Sequence, residues 1–212
     1  ILSLAMWVSK EENFVFMAII TIIIASIATF IAVFIIGFDD SEFADEDEVQ
    51  IPEKNKHALN QKSAQNLTAP VSGSIVSLKD VNDHTFSSEV MGKGIAIKPT
   101  GNTIVSPCSG TISALFETGH AVGITTDDGL ELLIHIGIDT VNLKGKYFKS
   151  LVTKGQKIKT NEPLIEFDSQ SITQAGYDDI VIVIVTNSND YLDVIPTNKD
   201  QVTVSDFLIG VV

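Results

Sequence analysis

Two hydrophobic patterns divide the chain. From Phe14 to Phe38, twenty-five residues run without a charge and are rich in Ile, Ala, Val and Phe. At about 1.5 Å per residue such a run crosses a hydrocarbon core of roughly 30 Å with some tilt. A buried soluble helix would carry a polar stripe. A signal peptide would have a shorter apolar core and a basic start, whereas Glu11 and Glu12 precede this run. The pattern predicts one transmembrane helix. From Leu67 onward the pattern changes to short β-rich runs, among them Ser74–Leu78, Gly94–Lys98, Thr111–Phe116 and Glu131–Ile136, punctuated by Gly, Pro, Asn and Asp. No long amphipathic helix interrupts them.

Between the two lies Asp39 to Asn66, with seven acids and no base in residues 39–48. Like charges keep such a stretch extended and solvated, so it reads as an acidic linker, or as a docking tail for a basic partner. The expected organisation is a membrane segment at 1–38, a flexible linker at 39–66 and an all-β domain at 67–212. The sequence opens on Ile1 rather than Met, which points to a piece, or a processed product, of something longer.

The β domain repeats itself. Ala69-Pro70-Val71-Ser72-Gly73-Ser74-Ile75 recurs thirty-seven residues later as Ser106-Pro107-Cys108-Ser109-Gly110-Thr111-Ile112. Each copy is a Pro-led turn, a Gly and an alternating strand. This predicts an antiparallel β-sandwich or barrel of duplicated half-barrels.

Charge narrows the chemistry. The formal net charge is −13 and there is no arginine, a poor composition for binding nucleic acid. No Gly-x-x-x-x-Gly-Lys-Ser/Thr loop marks a nucleotide site. The single cysteine, Cys108, excludes an internal disulfide; its place in the repeat, where the first copy has Val71, reads as a small buried apolar residue.

The most informative segment is Gly129-Leu130-Glu131-Leu132-Leu133-Ile134-His135-Ile136-Gly137-Ile138-Asp139-Thr140-Val141. It sets one histidine in an apolar strand and ends that strand with Gly137 and Asp139. A histidine alone on such a strand is more often a hydrogen-bonded core residue. His120, in Glu117-Thr118-Gly119-His120-Ala121, supplies a second imidazole fifteen residues earlier. A neutral imidazole is a nucleophile if one nitrogen attacks and the other is held protonated by an acceptor, for which the Gly137 carbonyl is placed. Thr118 and His120, two apart on a strand, point to one face, so the hydroxyl can orient the ring. Both are also ordinary strand-end and turn residues.

These segments, with Met91-Gly92-Lys93-Gly94-Ile95, resemble the active-site pattern of the glucose-type enzyme IIA domains of the bacterial phosphoenolpyruvate-dependent sugar phosphotransferase system. Ile172-Thr173-Gln174-Ala175-Gly176-Tyr177-Asp178 resembles the branch for β-glucosides, sucrose and trehalose. The likeness runs from about Ala69 to Phe167. It implies that residues 1–38 end an enzyme IIC permease domain in the cell membrane, with the IIA domain on the cytoplasmic side. It implies that His135 takes a phosphoryl group from phospho-HPr, as tele-phosphohistidine, and passes it to an enzyme IIB cysteine, without a cofactor or metal. The domain would be a phosphotransferase component, and sugar would meet only the other domains.

The same resemblance implies site roles. His120 would stabilise the phosphoryl oxygens, Thr118 would orient His120, and Asp139 and Asp83 would flank the site. Phe86, Val90, Met91, Phe116 and Leu133 would form an apolar docking rim. His84 matches no position with a role. The branch usually carries a proline after Ala-Gly-Tyr-Asp, and Asp179–Val185 has none, a difference expected to affect an edge strand. Two rivals remain. A membrane-anchored zinc hydrolase would use His120, His135 and Asp139, although no His-x-His pair is present. A tethered regulatory binding domain would use the same apolar rim.

Overall fold

The computed structural model describes residues 64–212. The expected membrane helix within 1–38, and all but the end of the expected linker, lie outside the described residues. Among the described residues no helix is long and apolar enough to cross a membrane.

The fold is all-β. In the first half come β1 (Gln65–Thr68), β2 (Gly73–Val76), β3 (Lys93–Pro99), β4 (Thr103–Val105), β5 (Gly110–Leu115), β6 (Ala121–Thr125) and β7 (Glu131–Ile136). In the second come β8 (Phe148–Ser150), β9 (Lys157–Ile158), β10 (Pro163–Phe167), β11 (Val181–Val185), β12 (Val194–Pro196), β13 (Gln201–Val202) and β14 (Phe207–Val211). Helix is confined to short pieces such as His84–Ser87 and Ser169–Gln174. The eight-stranded sheet runs β13-β2-β3-β11-β7-β6-β5-β9, and two three-stranded sheets run β1-β14-β12 and β4-β10-β8. Every pairing is antiparallel.

β1 begins at Gln65, two residues before the expected domain boundary. Gln65 and Asn66 are polar and fall in the stretch expected as linker, but their main chains pair with Val211 and Gly210. β1 has one strand neighbour in its sheet, so its backbone bonds on one side only.

The sequence repeat reappears as hydrogen bonding. Thr68 N–H donates to the Pro107 carbonyl at 3.0 Å, and Val105 N–H donates to the Pro70 carbonyl at 2.9 Å. The two Pro-led turns thus exchange equivalent bonds. Gly73 pairs with Val202 at one end of the large sheet, and Gly110 pairs with Ile158 at the other. Ser72 Oγ accepts from Val204 N–H, and Ser109 Oγ from Thr160 N–H. A Cβ on either Gly73 or Gly110 would run into the facing strand's carbonyl, of Lys98 or Thr125. That contact is why a glycine follows the turn in each copy.

Alternation places the core. Leu132, Ile134 and Ile136 of β7 and Val181, Val183 and Val185 of β11 enter the main core. On the opposite face of the sheet, Ile180, Ile182, Ile184 and Ala96 are covered by Leu78, Val81 and Phe86, forming a second, smaller core. β11 is therefore a central strand buried on both sides, between β3 and β7, and the edge-strand expectation is corrected. Its unbroken Val-Ile-Val-Ile-Val composition fits burial on two faces, and a proline there would have removed a ladder donor.

Candidate functional site

The site forms where the smaller core stops covering its sheet face. His135 and Leu133 project on that face and are half-buried, whereas Leu132, Ile134 and Ile136 point the other way. His135 lies in register between Ala121 of β6 and Ile182 of β11. The β5–β6 connection brings in the second imidazole. Gly119, at φ +67°, closes the turn with its N–H on the Phe116 carbonyl at 2.8 Å. The main-chain carbonyl of His120 accepts from Ile136 N–H at 2.8 Å, locking the loop to β7.

The two imidazoles meet edge to face, with centroids 4.9 Å apart and planes at 80°. Thr118 Oγ1 lies 2.5 Å from His120 Nδ1. His120 is buried and its pKa is lowered by that burial. His135 is pushed down to about 4, first by burial and then by the nearby His120, with the Gly137 main chain and the Asp83 charge pulling weakly the other way. Both rings are therefore neutral at physiological pH, with lone pairs available. His135 Nδ1 is the buried nitrogen. The Gly137 main chain favours a proton on the ring, but Nδ1 itself closes no full hydrogen bond in this geometry.

Gly137 is fixed by close packing. It sits at φ +78°, and a Cβ there would collide with the Thr140 methyl and the Asp178 carbonyl oxygen. Gly137 N–H donates to the Ile180 carbonyl at 2.7 Å, and Ile138 N–H to the Asp178 carbonyl at 3.0 Å. Thr140 Oγ1 donates to the Ile136 carbonyl at 2.5 Å. Sequence reasoning misses Thr140, and its position three residues past Gly137 is the signal that could find it.

The two aspartates part company. Asp83 caps the helix His84–Ser87, its Oδ1 accepting from Phe86 N–H at 3.2 Å, and its charge acts on His135. Asp139 is exposed in a left-handed turn (φ 58°) that starts Thr140–Leu143, and its side chain caps nothing. The zinc reading loses its third ligand on this geometry. Among the described residues no group of three or more His, Cys, Asp or Glu is placed to hold a metal.

The docking residues also divide. Val90, Met91 and Phe116 are exposed, and the Phe116 ring meets His120 edge-on at 5.4 Å. Phe86 was expected on the rim, but the structure buries it. The Asp83 cap turns its segment into one helical turn, which drives Phe86 onto Ile182 and against the His135 ring at 5.1 Å. Phe86 is thus a wall of the site. Val141, absent from the expected rim, is half-exposed in the turn that follows β7. His84 is exposed. Cys108 is buried, and burial pushes its thiol up to about 12, so it is an inert core residue.

Comparison with known proteins shows the family. The family described as phosphoenolpyruvate-dependent sugar phosphotransferase system, EIIA 1, matches residues 65–191. The PTS system beta-glucoside-specific EIIBCA component of Bacillus subtilis (strain 168) is 41% identical over 174 residues, covering 82% of this chain and 27% of that protein. The component of the same description from Halalkalibacterium halodurans is 46% identical over 143 residues, covering 68% of this chain and 22% of that protein. The chain thus spans about a quarter of the length of these relatives. The solved structure of glucose permease IIA from Mycoplasma capricolum superposes with a TM-score of 0.63 at 33% identity, covering 70% of this chain and 96% of that one.

Proposed function

The chain belongs to the EIIA 1 family of the phosphoenolpyruvate-dependent sugar phosphotransferase system, and from that premise we propose that it is the phosphocarrier part of a longer sugar transporter. His135 accepts a phosphoryl group from phospho-HPr and hands it to a cysteine of enzyme IIB, while enzyme IIC carries the sugar through the membrane. Relatives named EIIBCA supply the IIB and IIC parts of this reading. The β-glucoside name belongs to those relatives, and we extend it to this chain as the sugar class. The parent protein sits in the cell membrane with the described residues on the cytoplasmic side.

The carrying observation is the pair of neutral imidazoles at 4.9 Å with Thr118 on one of them. Burial of His135 Nδ1 leaves Nε2 for in-line attack on phosphorus. As the N–P bond forms, the bond from phosphorus to the carrying atom of HPr breaks, its electron pair leaves on that atom, and the three equatorial oxygens carry the spreading charge. In this reading the Thr118 hydroxyl donates to His120 Nδ1, which puts the His120 proton on Nε2, where it can be given to those oxygens. Asp83 beside His135 disfavours added negative charge, which keeps the phosphorylated state from becoming a sink. Val90, Met91, Phe116 and Val141 give successive partners an apolar surface suited to brief docking. The two Pro-led copies support a duplicated half-barrel origin for the scaffold.

Incubation of the chain with phosphoenolpyruvate, enzyme I and HPr, followed by intact-mass analysis, tests this. One acid-labile phosphoryl group is expected on wild type and on His120→Gln, and none on His135→Gln. No phosphoryl gain on the folded wild-type chain would overturn the reading.

A further inference from the structure

A charged cluster lies behind the site, beyond the residues that touch the imidazoles. Asp179 is 3% exposed. Lys98 Nζ reaches its Oδ1 at 2.5 Å and Asp178 Oδ1 at 2.9 Å. Ser169 Oγ, on the first residue of its helix, donates to Asp179 Oδ2. Asp178 Oδ1 also accepts from Ile180 N–H at 3.0 Å. Burial acts to lower the Lys98 pKa, but the two aspartates outweigh it and raise it, so Lys98 stays charged. A buried carboxylate held this way costs desolvation.

The main chain shows what the cluster holds. The Asp178 carbonyl accepts from Ile138 N–H, and the Ile180 carbonyl from Gly137 N–H. Ile138 N–H and the Gly137 carbonyl belong to one planar trans peptide, so they point in opposite directions. With the N–H fixed on Asp178, the Gly137 carbonyl is turned back along β7. Gly137 has no side chain to resist rotation of that plane, because its contact with Asp178 excludes one. Beside the Thr140 contact, the hydrogen bonds that restrain it come from residues 178–180.

We propose that Lys98, Asp178, Asp179 and Ser169 are positioning residues for the phosphoryl-transfer site: they clamp the 178–180 main chain, which aims the Gly137 peptide at His135 and so selects the ring tautomer with its proton on Nδ1 and its lone pair on Nε2. This rests on the carrier reading above. It also gives a purpose to Asp178, the last residue of the branch-like Ala-Gly-Tyr-Asp segment.

The test uses the full 212-residue chain, labelled with nitrogen-15, as wild type, Lys98→Met, Asp179→Asn and Lys98→Arg. Imidazole nitrogen shifts of unphosphorylated His135 report the tautomer directly. Phosphoryl uptake from phospho-HPr reports transfer. The wild type is expected to show one tautomer, protonated on Nδ1. Lys98→Met and Asp179→Asn are expected to mix the two tautomers and slow uptake by roughly tenfold to a hundredfold, the scale of a misaimed reacting group. Lys98→Arg is expected to keep both readouts. If Lys98→Met fails to fold, Lys98→Met/Asp179→Leu fills the space without charge and is expected to show the same mixed ring. Wild-type ring shifts in folded Asp179→Asn and in the charge-free double variant would overturn the proposal. If wild type itself gains no phosphoryl group, the carrier reading fails, while the ring shifts still decide the positioning role.

Discussion

His120 stands edge-on to His135 at 4.9 Å, and its nearness adds to the burial that keeps the His135 ring uncharged. Two imidazolium ions at this distance would repel. The arrangement suits a histidine that must be unprotonated to attack and a neighbour that must keep one proton to give to phosphate.

His135 should therefore titrate late on acidification. Its pKa is about 4, against 6.5 for a free imidazole, with burial the first cause and His120 the second. Proton NMR should show it neutral from pH 8 down to about 5. In His120→Gln its midpoint should rise, but only part of the way, because burial remains. A midpoint unchanged by His120→Gln would mean the rings do not interact.

The same shift fixes the sign of a stability effect. As pH falls, the unfolded chain takes up a proton on this residue first, near 6.5, and the folded chain resists until about 4. Stability is full above the unfolded value, is lost between the two, and levels off below. The loss is roughly 3 kcal/mol. Urea titrations of wild type and His135→Gln across pH 7 to 4 should show a steeper decline in wild type. Parallel curves would contradict the buried neutral ring.

Thr118→Val removes the hydroxyl at His120 Nδ1 and leaves a buried ring nitrogen without its partner. Such a loss costs about 1–3 kcal/mol, visible as a lower Tm. Transfer should slow because the His120 proton is no longer confined to Nε2. Thr118→Ser, which keeps the hydroxyl, should recover both. A serine variant as slow as valine would show that the methyl, through packing, was what mattered.

Much of this site was legible because local rules produce it. The glycine turn after β7 and the alternation of β7 follow from residues adjacent in sequence, and so does the two-residue spacing of Thr118 and His120. The parts that escaped depend on distant partners. β11 reads as a possible edge strand until β3 and β7 are seen to flank it and Phe86 to cap one face. The Lys98–Asp179 pair joins residues eighty-one positions apart, and no spacing rule reaches that far. The resemblance puts Phe86 on the rim, and a phenylalanine beside a site carries no mark of which way its helix turns. The Asp83 cap decides that, and Asp-x-x-Phe offers no sequence signal for the contact with His135.

Phe86 and Phe116 each touch one imidazole, at 5.1 and 5.4 Å, yet they should fail differently. Phe86 is 7% exposed and packs in the smaller core, so Phe86→Ala should destabilise by about 3–5 kcal/mol. Phe116 is 46% exposed, so Phe116→Ala should cost well under that, about 1 kcal/mol or less. Docking reverses the order. Phe116→Ala removes apolar surface that a partner would cover, raising the KM for phospho-HPr while the melting curve barely moves. Phe86→Ala should lower the rate at saturating HPr, because it loosens the wall that holds the His135 ring, and leave KM closer to wild type. Equal effects of the two changes on KM would return Phe86 to the docking rim and contradict its burial against His135.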